Sequence, residues 1–371
     1  MHNNQKLPNF LDTQESINNF VSITSSQNTI GLDTEFIRIK TYYPKLCLVQ
    51  ISSDACTGCI DYLQNNDLNK IWKLIFNPKK LKIFHSARQD LEILFLIKNQ
   101  IPEHIFDTQI GAALLGYQPQ IGIKKLLKDE LNIEISKTET RSDWSKRPLN
   151  LGQIQYALED VNHLLSLHGV LEKKLRARKR YRWALEDSSR ILITAEELFK
   201  PESAWKKISG IKNLKSNHQH LAVMIATWRE KTAMQMDLPR QWLMNDKSLI
   251  EIAKKEPVTL TQLENIGIIN KFLQESELEK ILKLIKRHKE KIEENGQLII
   301  KFNSNYKIRF DPSLIEKFSK IIAKKAKELK IFPEVLASKK DLLAMIQKKD
   351  NAKLLSGWRK KVIGAELSEL L

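Results

Sequence analysis

Thr29-Ile30-Gly31-Leu32-Asp33-Thr34-Glu35-Phe36 alternates in side-chain character. In an extended chain successive side chains point to opposite faces. Ile30, Leu32, Thr34 and Phe36 therefore share one side, and Gly31, Asp33 and Glu35 the other. The stretch reads as a strand that presents the carboxylates of Asp33 and Glu35 in one direction. Adjacent carboxylates repel and need a shared proton or a cation. Hard divalent ions such as Mg²⁺ and Mn²⁺ take such oxygens readily. A strand end with two solvated acids fits the same letters, so the pair gains meaning only from what the rest of the chain brings to it.

Working outward, Lys45-Leu46-Cys47-Leu48-Val49-Gln50-Ile51-Ser52 predicts a second strand. Cys59-Ile60-Asp61-Tyr62-Leu63 predicts a third after a Thr57-Gly58 turn, which makes a β-meander. Helical spacing runs from Leu68 to Ile75 and stops at Asn77-Pro78. A short strand over Lys82–His85 precedes a helix through Leu91–Leu96. Strands first, then strands alternating with helices, indicate an α/β or mixed-sheet domain. Asp90 falls in the first turn of that helix, at the sheet edge where α/β proteins place ligands. The helix dipole alone also favours an acid there. Asp107-Thr108 reads as the N-cap of a helix over Gln109–Leu115. In the helical stretch from Gln153 to Leu165, Tyr156 and Asp160 are four apart and share a face. Such a pair can be a plain hydrogen bond; beside a cation it can supply a ligand and a phenol that orients water.

At 371 residues the chain suggests two or three domains, and 42% hydrophobic with 28% charged residues is the composition of a soluble globular protein. No apolar run is long enough to span a bilayer and the first residues lack a signal-peptide core, so a cytoplasmic location without membrane partners is expected. Cys47, Cys56 and Cys59 are too few for a disulfide framework, and one C-x-x-C lacks the four ligands of a structural zinc. The net charge of +17 is lopsided. Residues 1–170 hold 18 basic and 18 acidic side chains, whereas residues 171–371 hold 43 and 26. A neutral half joined to a basic half suggests chemistry in one and polyanion binding in the other, although a Lys-rich solvated surface has the same composition.

Asp33-Thr34-Glu35, then Asp90, then Tyr156-x-x-x-Asp160 resemble the three motifs of the DEDD exonuclease superfamily, with the tyrosine of its DEDDy branch. The flanking runs Thr41-Tyr42-Tyr43-Pro44, Leu48-Val49-Gln50, Phe106-Asp107-Thr108-Gln109-Ile110, Arg141 to Leu149 and Leu355-Ser356-Gly357-Trp358-Arg359 resemble the bacterial ribonuclease D family over nearly the full length. The resemblance implies that Asp33, Glu35, Asp90 and Asp160 hold two divalent ions, Mg²⁺ or Mn²⁺. It implies that Tyr156 orients a water and that 5′-mononucleotides leave from a free 3′ end. RNA, with tRNA precursors foremost, is the implied partner of a monomer. A proofreading-like action on DNA and a catalytically dead RNA-binding scaffold are the competing readings. Arg141, Trp144 and Arg147 are candidates for contact with nucleic acid, and equally for tying their loop to the core.

The resemblance also sets the architecture. It implies an α/β, ribonuclease H-like mixed-sheet exonuclease domain over 1–172 and a basic linker helix over 173–212. A small all-α bundle of the HRDC type follows over 213–294, with a divergent HRDC-like copy over 295–371. Within the linker the run from Lys173 to Trp183 suits an RNA backbone or a solvated helix. No G-x-x-x-x-G-K-[ST] occurs, so neither a helicase motor nor a nucleotide cofactor is expected.

Overall fold

A computed structural model describes residues 9–64, 66–135, 139, 142–197, 200–267, 272–295, 312–347 and 352–371. The chain divides into two compact units. One comprises residues 1–37, 45–195 and 309–371; the other comprises 38–44 and 196–308.

The first unit is built on a six-stranded mixed sheet. Its strands are β1 (Phe10–Leu11), β2 (Thr29–Ile37), β3 (Lys45–Ser52), β4 (Thr57–Asp61), β5 (Leu81–Phe84) and β6 (Ile105–Asp107), in the spatial order β1-β4-β3-β2-β5-β6. Helices α1 (Gln14–Thr24), α2 (Asn69–Ile75), α3 (Arg88–Lys98), α4 (Thr108–Leu115), α5 (Ile123–Leu131), α6 (Leu151–Asn162), α7 (Leu164–Ala177) and α8 (Tyr181–Glu197) complete this part. The alternation expected of residues 29–36 holds in β2. Ile30, Leu32 and Phe36 join a core that includes Ile17, Phe20, Ile71, Leu91 and Leu94, so α1, α2 and α3 cover that face. Thr57 and Gly58 lie inside β4 rather than in a turn. The reversal is made instead by Ser53, whose hydroxyl accepts from the backbone N–H of Ala55 and Cys56, an ST-turn that leaves Gly58 free for the ladder.

The basic stretch after α6 is not one helix. It breaks at Arg178–Arg180, where Arg178 donates to the carbonyl of Leu115 and Arg180 to those of Leu114 and Leu329. Two of its cations thus satisfy carbonyls, Arg180 is buried, and α8 belongs to the first unit as far as Ala195. The C-terminal segment also differs from a free-standing bundle. Its helices α14 (Pro312–Leu329), α15 (Pro333–Leu336) and α16 (Lys339–Ile346), with a last helical stretch over 357–369, contribute Phe318, Ile322, Leu336, Met345 and Trp358 to one core with Ile83, Phe106, Leu164 and Leu171. Trp358 stacks on Trp183 at 4.3 Å, its indole N–H donates to Asp187 at 3.1 Å, and the buried Arg359 is paired with the same carboxylate.

The second unit holds α9 (Ser216–Met236), α10 (Arg240–Leu243), α11 (Asp246–Lys255), α12 (Leu260–Glu264) and α13 (Glu275–Asn295). Asn245 and Thr259 cap α11 and α12, as short polar residues before an apolar run should. Leu221, Ile225, Leu249, Ile252, Leu263, Ile281 and Ile285 form its core with Tyr42. The Tyr42 hydroxyl donates to Glu230 at 2.6 Å, and the N–H groups of Tyr42 and Tyr43 donate to Asp237, so residues 38–44 belong to this bundle.

Candidate active site

β2 pairs with β3 from Gly31 to Ile37 but with β5 only from Thr29 to Gly31. Beyond Gly31 the neighbouring chain leaves the sheet and turns into α3, opening a gap at the strand end where α/β folds place ligands. Asp33 and Glu35 stand at this gap. On their face Gly31 makes room for the start of α7: a Cβ there would lie 2.3 Å from the Ser52 hydroxyl oxygen and 3.2 Å from Leu164. Ser52 donates to the carbonyl of Val161 at 2.8 Å and so fastens the end of α6 to β3. The start of α6 is set by a capping box between Asn150 and Gln153. Between these fixed ends lie Tyr156 and Asp160.

Asp33, Glu35 and Asp160 converge, each half-buried, with one carboxylate oxygen apiece within 4.8 Å of the others. Burial, first, and then the charges of Asp90, Asp160 and Glu35 push the Asp33 carboxyl well above its ordinary value. Tyr156 is buried and hydrogen-bonded to Asp160. Burial and then the Asp160 and Glu35 charges push its phenol up, so it keeps its proton and remains a donor.

Asp90 arrives from the opposite face of the sheet. It is buried, and the Thr34 hydroxyl donates to it at 2.5 Å. Burial pushes its carboxyl up to about 7, opposed by that hydrogen bond. It stands outside the convergent trio yet exerts the largest charge effect on Asp33. The turn that carries it is clamped by Asp107, whose carboxylate accepts from the N–H groups of Ser86, Ala87 and Gln109 at 3.1, 2.9 and 2.8 Å. Asp107 is the helix cap expected from the sequence and holds the Asp90 turn as well.

Of the three candidates for nucleic-acid contact, Arg141 lies outside the described residues. Trp144 is 2% exposed and packs beside Tyr156, ring centroids 5.9 Å apart. Arg147 is held by the buried Asp61 through two hydrogen bonds and donates to the carbonyls of Trp144 and Lys146. Their setting ties the loop to the core through a buried indole and a guanidinium paired with a buried carboxylate. Thr34, Ser52 and Gly31 were not singled out from the sequence. A hydroxyl inside an apolar strand is the one sign they carry, and it does not name a partner.

A 3′-5′ exonuclease family model matches residues 8–176, and an HRDC domain model matches residues 219–285. Ribonuclease D of Gluconacetobacter diazotrophicus is 32% identical over 97% of this chain and 91% of its own length. That of Haemophilus influenzae is also 32% identical, over 94% of this chain and 89% of its own. The chain belongs to the ribonuclease D family. Among solved structures, Escherichia coli RNase D, an exoribonuclease involved in structured RNA processing, superposes with a TM-score of 0.87 at 26% identity over 98% of both chains. The catalytic core of RRP6 from Trypanosoma brucei shares the fold, with a TM-score of 0.56 at 21% identity over 76% of this chain. The ribonuclease D fold implies use of divalent metal, and the donor set agrees: three carboxylates with converging oxygens are what a hard divalent cation accepts.

Proposed function

We propose that this ribonuclease D-family exoribonuclease removes nucleotides one at a time from free RNA 3′ ends, tRNA precursors among them, and releases 5′-mononucleotides. Asp33, Glu35, Asp90 and Asp160 would hold two divalent ions, Mg²⁺ or Mn²⁺. Bound there, such ions supply charge stabilisation to the phosphate and ease deprotonation of the attacking water. The remaining work falls to the chain. Asp33 and Glu35 fix the oxygens of one strand end, and Asp160 closes on them from α6. Thr34 holds Asp90 in orientation across the sheet. Tyr156, kept protonated and braced by Asp160, orients the attacking water toward the scissile phosphorus. The convergence of Asp33, Glu35 and Asp160 around a hydrogen-bonded Tyr156 is the observation that carries this reading.

The test is digestion of 3′-labelled RNA and DNA of matched sequence, with Mg²⁺ or Mn²⁺ and with chelator. We expect metal-dependent release of mononucleotides, faster from RNA. Equal or faster digestion of DNA would overturn the RNA assignment, and no release from either would point to a scaffold.

A further inference from the structure

Gln50 is fully buried, and neither its amide nitrogen nor its amide oxygen has a hydrogen-bond partner among the described residues. Buried amides are almost always paired, because an unmet donor and acceptor forfeit their hydration. Its position gives the reason for keeping one here. In the β2–β3 ladder Gln50 stands directly opposite Asp33, and opposed residues of an antiparallel pair project to the same face. Ser52, two residues on and on that same face, is already bonded to α6. Leu48, two residues back, sits in the cluster with Tyr156 and Ala157. Gln50 is thus sealed beneath α6, beside the first carboxylate of the acidic centre. A Leu, Ile or Met in its place would fill the space without an unpaired group.

We propose that Gln50 is a positioning residue for the acidic centre: its amide N–H engages the Asp33 carboxylate, directly or across one buried water, when a divalent ion is bound. An ionised carboxylate only accepts hydrogen bonds, so the nitrogen is the group that faces it. A donor on one oxygen fixes the rotation of the carboxylate and turns its remaining lone pairs toward the cation. This inference rests on the metal-dependent reading above.

The experiment measures Mn²⁺ binding to the full chain by the loss of the free-ion electron paramagnetic resonance signal, together with melting temperature in EDTA and in Mn²⁺. Wild type, Asp33→Ala, Gln50→Met and Gln50→Asn are compared. Gln50→Met is expected to melt in EDTA at or above the wild-type temperature, since it removes an unpaired buried amide. It should need about tenfold more Mn²⁺ for half-saturation and show a smaller metal-induced rise in melting temperature. Gln50→Asn keeps an amide but withdraws it by one methylene, and should show the same weakening. Wild-type Mn²⁺ binding and melting behaviour in both variants would overturn the proposal and leave the two-metal reading intact. Wild-type protein that binds no Mn²⁺, or binds it equally well as Asp33→Ala, would overturn that reading and this one with it. Unfolding of both variants in EDTA would make the amide a structural element and also overturn the proposal.

Discussion

At the scale of single residues, the Thr34 hydroxyl constrains what one of the acids can do. Thr34 and Asp33 are neighbours in sequence but face opposite sides of the sheet, and Thr34 reaches the acid that comes from the other side. Thr34→Val keeps the shape and removes the donor, so turnover should fall about tenfold or more in single-turnover assays, with RNA affinity preserved. Asp33 and Asp90 make a separate prediction. A folded-state acid whose carboxyl is raised holds its proton more tightly than the unfolded chain does. The stability it contributes is therefore present below the ordinary carboxylate range and lost as pH rises through its raised value. Without metal the protein should lose melting temperature as pH rises above about 4 on account of these two groups, the Asp90 share being lost through about pH 7. Mg²⁺ competes with the protons, so the stabilisation it confers should grow over the same interval. Thermal melts across pH, with and without Mg²⁺, check this, and Asp33→Asn should flatten the difference.

At the scale of elements, the site depends on how closely the α6–α7 junction seats on the sheet. Gly31→Ala would drive a methyl group into Ser52 and Leu164, costing about 1–3 kcal/mol by overpacking and displacing Asp160 from Asp33. Denaturant melts and activity should fall together, whereas Thr34→Val should change activity far more than stability. The strand alternation, the Asp107 cap and the Tyr156/Asp160 face were legible in the sequence because they depend on local periodicity. The broken basic helix was not, because its break is fixed by distant carbonyls on α4 and α14 that accept from Arg178 and Arg180. In the second unit, Lys283, Lys286 and Lys289 recur every three residues along α13 and line an open groove with Pro257, Val258, Leu282 and Ile285. If this stripe grips a single-stranded phosphate backbone, changing all three to Gln should reduce the magnitude of the slope of log affinity against log salt by roughly 2. The rate of the chemical step should stay unchanged in single-turnover assays at saturating enzyme.

At the scale of the whole molecule, the C-terminal segment cannot be treated as a detachable accessory. Arg359 is 5% exposed, paired with Asp187, and donates to the carbonyls of Val335 and Leu336. Arg359→Ala leaves Asp187 without its cation and two carbonyls without this donor, and should cost about 3 kcal/mol or more, read as a lowered denaturation midpoint. Removing residues 312–371 should compromise folding of the exonuclease unit itself, because Phe318, Ile322 and Trp358 share its core. Limited proteolysis should accordingly release no stable fragment ending near residue 311.

The sequence alone determined the order and spacing of the acids, the face on which Asp33 and Glu35 lie, the Tyr156/Asp160 pair and the concentration of positive charge in the second half. These follow from chain periodicity and composition, which are local properties. Only the tertiary structure decided that Asp90 comes from the opposite face through Thr34, that Gln50 is sealed unpaired across from Asp33, and that Trp144 and Arg147 are committed to the core. It also decided that residues 312–371 fold with the first unit. Each of these depends on which distant surfaces meet, and side-chain partners brought together across a sheet leave no periodic signal in the chain that carries them.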